Sequence, residues 1–91
     1  MEVSFYATLR EIVGAKHVHF DLPAGSTVHD LLDQAGERYP RLKALIWQPD
    51  GRLSDYIKVF VDGRESRHLQ GLETPLTADA TVDIFPPAAG G

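Results

Sequence analysis

The sequence predicts an α+β fold in which a mixed sheet of about five strands is covered by one main helix. Three observations lead there. Short segments in which apolar and polar residues alternate open and close the chain, with the period of half-buried strands. Between them one stretch, PAGSTVHDLLDQAGERYP, spaces its apolar residues at helical intervals. A length of 91 residues, 43% hydrophobic and 24% charged, suits one domain with a single core that hides about 60 to 65 per cent of the unfolded surface.

Each element has its own signal. In EVSFYATL, Val3, Phe5, Ala7 and Leu9 share one face while Ser4, Tyr6 and Thr8 share the other, which predicts the first strand. LREIVGAK places Leu9, Ile12 and Val13 at the spacing of one helical turn, with Gly14 able to close it in a left-handed conformation. In HVHFDL, Val18, Phe20 and Leu22 alternate with His17, His19 and Asp21, which predicts a hairpin partner for the first strand. The main helix carries Val28, Leu31, Leu32, Ala35 and Tyr39 on one stripe. Ser26 or Thr27 can cap its start, and Thr27 with Asp30 has the form of a capping box. Gly36 weakens its last turns and Pro40 stops them.

Leu42, Leu45 and Ile46 predict a short second helix, and QPDGR supplies turn chemistry after it. YIKVFVDGRESRHL reads as a hairpin with Ile57, Val59 and Val61 inward, Lys58 and Phe60 outward, Asp62-Gly63 at the turn, and a polar edge strand from Arg64 to His68. QGLETPLTADA is a returning loop. TVDIF is the last strand, with Val82 and Ile84 inward and Thr81, Asp83 and Phe85 outward. If the first and last strands lie side by side and parallel, the helix is their crossover and the last strand ends in the middle of the sheet. That arrangement is the β-grasp, the architecture of ubiquitin.

Composition narrows the function. A net charge of −4, with the basic residues scattered, argues against a nucleic-acid backbone as partner. No segment approaches the ~20 apolar residues of a membrane span, so the expected location is the cytoplasm. The absence of cysteine excludes disulfides, thiolate metal sites, cysteine nucleophiles and a persulfide held on a side chain.

The chain closes on FPPAAGG, and the expected organisation is a body over residues 1–85 followed by an extended segment over residues 86–91. Pro86 and Pro87 have no N–H for a ladder, so the last strand must end at Phe85. Residues 87–91 reach about 15 Å at the ~3.1 Å rise of polyproline. Ala88 and Ala89 have minimal side chains and Gly90 and Gly91 have none, so a partner's channel can close around this backbone. The α-carboxylate of Gly91, ionised at neutral pH, is the segment's reactive handle. Such a carboxylate can attack the α-phosphate of ATP, giving an acyl-adenylate open to sulfur or amine nucleophiles.

Through FYATLREIVGAK, LPAGSTVHDLLDQAGERYP, IKVFVDGR, TPLTADATVDIF and the closing PPAAGG, the whole chain resembles the MoaD/ThiS sulfur carriers, above all the small subunit of molybdopterin synthase. The resemblance implies that a ubiquitin-activating-type adenylyltransferase uses ATP to adenylylate Gly91 and that sulfide chemistry then gives a thiocarboxylate. It further implies that the large subunit of molybdopterin synthase accepts the tail, so that the chain is not catalytic alone and binds no cofactor tightly. The stretch PDGRLSDYIKVFVDGRESRHLQGLETPL is similar to carriers that donate sulfur for cysteine biosynthesis and to archaeal small modifiers. Acceptors in cysteine biosynthesis, tRNA thiolation or thiamine synthesis therefore stay open, as does conjugation to lysines.

Phe60, Phe85 and Tyr6 occupy outward positions on strands that adjoin in a β-grasp and are expected to form an apolar docking patch beside the tail. His17 and His19 share the polar face of a strand without an evident third ligand, so no metal is predicted, and His29 and His68 read as surface residues. Trp47 reads as a lid on the core, and Asp30 and Asp33 as the solvated side of the main helix.

Overall fold

The computed structural model describes residues 1–86. In chain order the elements are β1 (Glu2–Phe5), α1 (Thr8–Val13), β2 (His17–His19), α2 (Val28–Arg38), α3 (Pro40–Ile46), β3 (Lys58–Val61), β4 (Arg64–Glu65) and β5 (Val82–Phe85), with 3₁₀ turns at Ser66–His68 and Gly71–Glu73. The five strands lie in the order β2-β1-β5-β3-β4. β1 and β5 are parallel, pairing Val3 with Val82 and Phe5 with Ile84, while every other pairing is antiparallel. This is the β-grasp, with β5 at the centre of a mixed sheet.

The inward face is built as the alternation predicts. Val3, Phe5, Val18, Val59, Val61, Val82 and Ile84 are buried against Val28, Leu31, Leu32 and Ala35 of α2 and Leu42 and Ile46 of α3. Thr27 begins α2 with both halves of the capping box: its hydroxyl accepts from the Asp30 N–H, and Asp30 accepts from the Thr27 N–H at 2.9 Å. Pro40 stands in the first turn of α3, so one proline both stops α2 and starts its successor. The loop after the second 3₁₀ turn is fastened across the start of α2, where Val28 N–H donates to the Thr74 carbonyl and Leu76 N–H to that of Ser26.

Several boundaries differ from the sequence expectation. β1 ends at Phe5, not Leu9: Ala7 turns the chain with φ 51° and ψ −125°, and Leu9 enters the core from α1. A strand continued through Ala7 would have carried α1 away from the core that Leu9 fills. Gly14 closes α1 at φ 79°, as its position predicts. β2 stops at His19, although Phe20 is still buried. β4 covers only Arg64–Glu65, because the chain winds into a 3₁₀ turn that buries Ser66. The β3–β4 turn has positive φ at both Asp62 and Gly63, the signature of a two-residue type I′ connection.

Gly36 has a packing reason. A Cβ there would stand 3.2 Å from Cβ of Lys43, so its bareness lets α2 and α3 approach. Trp47 is half-buried against the core, as expected of a lid.

Candidate functional site

The parallel β1–β5 pairing decides what stands where β5 ends. Because Phe5 faces Ile84 in the ladder, the residues that follow them, Tyr6 just past the end of β1 and Phe85 on β5, project together from the outer face, and Tyr6 N–H donates to the Ile84 carbonyl at 3.2 Å. β3 runs antiparallel on the other side of β5 and sets Lys58 opposite Phe85 and Phe60 opposite Asp83.

The three aromatic side chains meet. The Tyr6 and Phe85 rings stack with centroids 4.3 Å apart and planes 9° from parallel, and Phe60 meets Phe85 edge-on at 5.4 Å and 80°. All three are half-buried, so each ring keeps an open surface. Offset-stacked and edge-on pairs are the favoured aromatic geometries, each contributing about 0.5–1.5 kcal/mol beyond burial. The face is thus one continuous aromatic cluster rather than scattered rings.

A hydrogen bond orders it. The Tyr6 hydroxyl donates to Asp83 Oδ1 at 2.8 Å, and that bond, with desolvation and the nearby carboxylate charge, raises the phenol above its usual range. Lys16 lies on the far side of Tyr6, its ammonium 5.5 Å from the ring centroid. Lys16 also lines a shallow cleft of about 560 Å³ with Ala7, Arg10, Glu11, Gly14 and Ala15.

Pro86 directly follows this cluster. Pro87, Ala88, Ala89, Gly90 and Gly91, the remaining expected site residues, lie outside the described residues. The tie between Tyr6 and Asp83 and the placement of Lys16 were not foreseen. Their only signal in the sequence is the alternation that turns Tyr6 and Asp83 outward, and it becomes a contact only once the strand register is known.

The histidines have ordinary partners. His17 Nδ1 is 2.9 Å from Ser4 Oγ, and His19 Nε2 is 2.9 Å from Asp21 Oδ1. His29 is less exposed than expected, tilted against Trp47 at 5.1 Å with Nδ1 3.2 Å from Asp33 Oδ2, while His68 is exposed. Asp33 therefore has a partner on its own helix, and Asp30 belongs to the capping box. No helix among the described residues is long and apolar enough to cross a membrane.

Comparison with known proteins agrees with this geometry. The model of the ThiS family matches residues 3–91. The chain belongs to the ThiS family. Within it, the chain is 36% identical to small archaeal modifier protein 3 from Haloferax volcanii over 91 residues, covering all of this chain and 98% of the other. Among solved structures, SAMP1 from Haloferax volcanii superposes with a TM-score of 0.87 at 31% identity, covering 99% and 97% of the two chains. A chain of the Amycolatopsis orientalis BexX/CysO complex does so with a TM-score of 0.82 at 31% identity, covering 99% and 98%. The protein is therefore a ubiquitin-like β-grasp member of a family of sulfur carriers and modifiers.

Proposed function

We propose that this ThiS-family chain carries sulfur on its terminal carboxyl group. A ubiquitin-activating-type adenylyltransferase binds the aromatic face and draws residues 86–91 into its active site. A carboxylate oxygen of Gly91 attacks the α-phosphorus of ATP, and pyrophosphate leaves. A sulfide-level nucleophile then attacks the carbonyl carbon, AMP leaves with the bonding pair, and the product is a thiocarboxylate. The division of labour is physical: the folded body supplies recognition and the side-chain-poor segment supplies access. ATP-dependent activation calls for the cytoplasm.

The observation that carries this reading is the Tyr6–Phe60–Phe85 cluster at the end of β5, immediately before the segment that holds Gly91. The full-length resemblance to small subunits of molybdopterin synthase supports delivery of the sulfur to the large subunit of that enzyme. Purified chain incubated with the adenylyltransferase of its own genome, ATP and a sulfide source should gain the mass of one oxygen-for-sulfur exchange. An unchanged mass, while an established carrier is modified in parallel, would overturn the proposal.

A second reading has its own support, since relatives at 36% and 32% identity over the whole chain are named small archaeal modifier proteins. Here the same acyl-adenylate is taken by a lysine amine to give an isopeptide. Digests of cell protein would show lysines bearing this chain's C-terminal residues, and their absence at adequate depth would count against conjugation.

A further inference from the structure

The aromatic face has a charged border. The chain has 13 acidic residues against nine basic ones and only three lysines, Lys16, Lys43 and Lys58. Two of the three flank the cluster. Lys16 holds its ammonium 5.5 Å from the Tyr6 ring centroid on one side. On the other side Lys58 is the ladder partner of Phe85, and directly opposed residues of an antiparallel pair project from the same face. Both are exposed.

Two acids on this face have partners other than the lysines. Asp83 accepts from Tyr6 at 2.8 Å, and Glu65, the ladder partner of Phe60, lies 3.2 Å from Arg67. Among the described residues neither lysine makes an ion pair. Beyond Lys16 the cleft adds Arg10, with Glu11 as the one acid in its lining. A protein of net negative charge thus presents cations on both sides of its half-buried aromatic cluster.

We infer that Lys16 and Lys58 form a cationic border that is read together with the Tyr6–Phe60–Phe85 cluster, so that the adenylyltransferase taking this face presents an apolar groove edged by carboxylates. The inference rests on the carrier reading for the identity of the partner and deepens it by stating the partner's chemistry. The rings supply contact area and the lysines supply orientation and approach rate, because border charges act chiefly on association and on the rejection of wrong partners. Proteins with a similar apolar face but an acidic border would be turned away by the same groove.

The test measures the dissociation constant of the full-length chain for the purified adenylyltransferase of its own genome, at low and high salt, alongside ATP–pyrophosphate exchange. The double variant Lys16→Glu/Lys58→Glu should bind about tenfold or more weakly at low salt, and the deficit should shrink as salt screens the pair. Lys43→Glu, at an exposed position of α3, is the control and should stay within about twofold of the wild type. Melting curves that agree among all three proteins exclude a folding effect. Wild-type-like affinity in the double variant, an equal loss in Lys43→Glu, or no binding by the wild type would each overturn the inference. A wild type that binds but supports no exchange would sink the carrier reading, while the charge variants' affinities would still decide the border.

Discussion

Phe85 lies at the junction of fold and proposed function, and replacing it with alanine should separate the two. In the folded state its ring contacts Tyr6 at 4.3 Å and Phe60 at 5.4 Å but is half-exposed, so truncation opens no enclosed cavity. Two aromatic pairs at about 0.5–1.5 kcal/mol each, with about 1 kcal/mol for the buried half of the ring, give a loss of about 2–4 kcal/mol. Emptying the fully buried Phe5 or Phe20 should cost about 3–5 kcal/mol. For a domain of this size each kcal/mol lowers the melting temperature by about 4–8 °C, so Phe85→Ala should remain folded at 25 °C. Its effect on a partner should be larger: loss of an aromatic anchor of about 2 kcal/mol or more weakens binding roughly thirtyfold. Thermal melts together with titration against the adenylyltransferase provide the comparison. A melting temperature lowered as far as in Phe5→Ala, with affinity unchanged in the folded fraction, would refute the assignment of Phe85 to docking.

Other predictions follow from single residues. Ala7 adopts φ 51° and ψ −125°, the dihedrals of the first central residue of a type II′ turn, while Leu9 N–H donates to the Tyr6 carbonyl at 3.1 Å. Ala7→Gly should therefore raise the melting temperature, because relief of about 1–3 kcal/mol of strain outweighs the ~0.4–1 kcal/mol lost to a looser unfolded chain; a lowered value contradicts this. Asp83→Ala, which removes the acceptor as well as the charge, should bring the raised Tyr6 phenol back toward its ordinary range, as read by NMR titration of the ring. The sign follows from linkage: the hydrogen bond stabilises the protonated phenol, so its contribution is complete below the ordinary phenol pKa and is lost as pH rises through the folded one. An unchanged Tyr6 titration in the variant would remove Asp83 as the cause. Thr27→Ala should cost about 0.5–2 kcal/mol in denaturant unfolding through loss of the capping box, and no measurable change would show that cap to be without weight.

Much of this architecture is legible in the sequence because burial has a period. Val82 and Ile84 alternate with Asp83 and Phe85, and the stripe from Val28 to Ala35 is buried as its spacing requires. Boundaries were harder where two patterns overlap. Leu9 fits both the alternation that begins at Val3 and the helical spacing with Ile12, and local sequence does not reveal that Ala7 accepts a strained turn between them. The 3₁₀ turn after Glu65 escaped for a different reason: Arg64 to His68 are all polar and read as an exposed edge strand, with nothing local to show that Ser66 is buried. Gly36 reads as a weak helix position until α3 is known to lie against it. At the candidate site, the outward positions of Phe60 and Phe85 follow from alternation alone. The stack with Tyr6, the bond to Asp83 and the flanking lysines depend on strand order and register, which pair residues far apart in the chain.

Fragmentation mass spectrometry of the intact chain, after reaction with its adenylyltransferase, ATP and sulfide, reaches the central claim most directly. The account predicts one oxygen-for-sulfur exchange located on Gly91, with every other fragment unchanged. A Gly91 fragment that keeps its ordinary mass while a parallel carrier is converted, or sulfur found elsewhere in the chain, would contradict it.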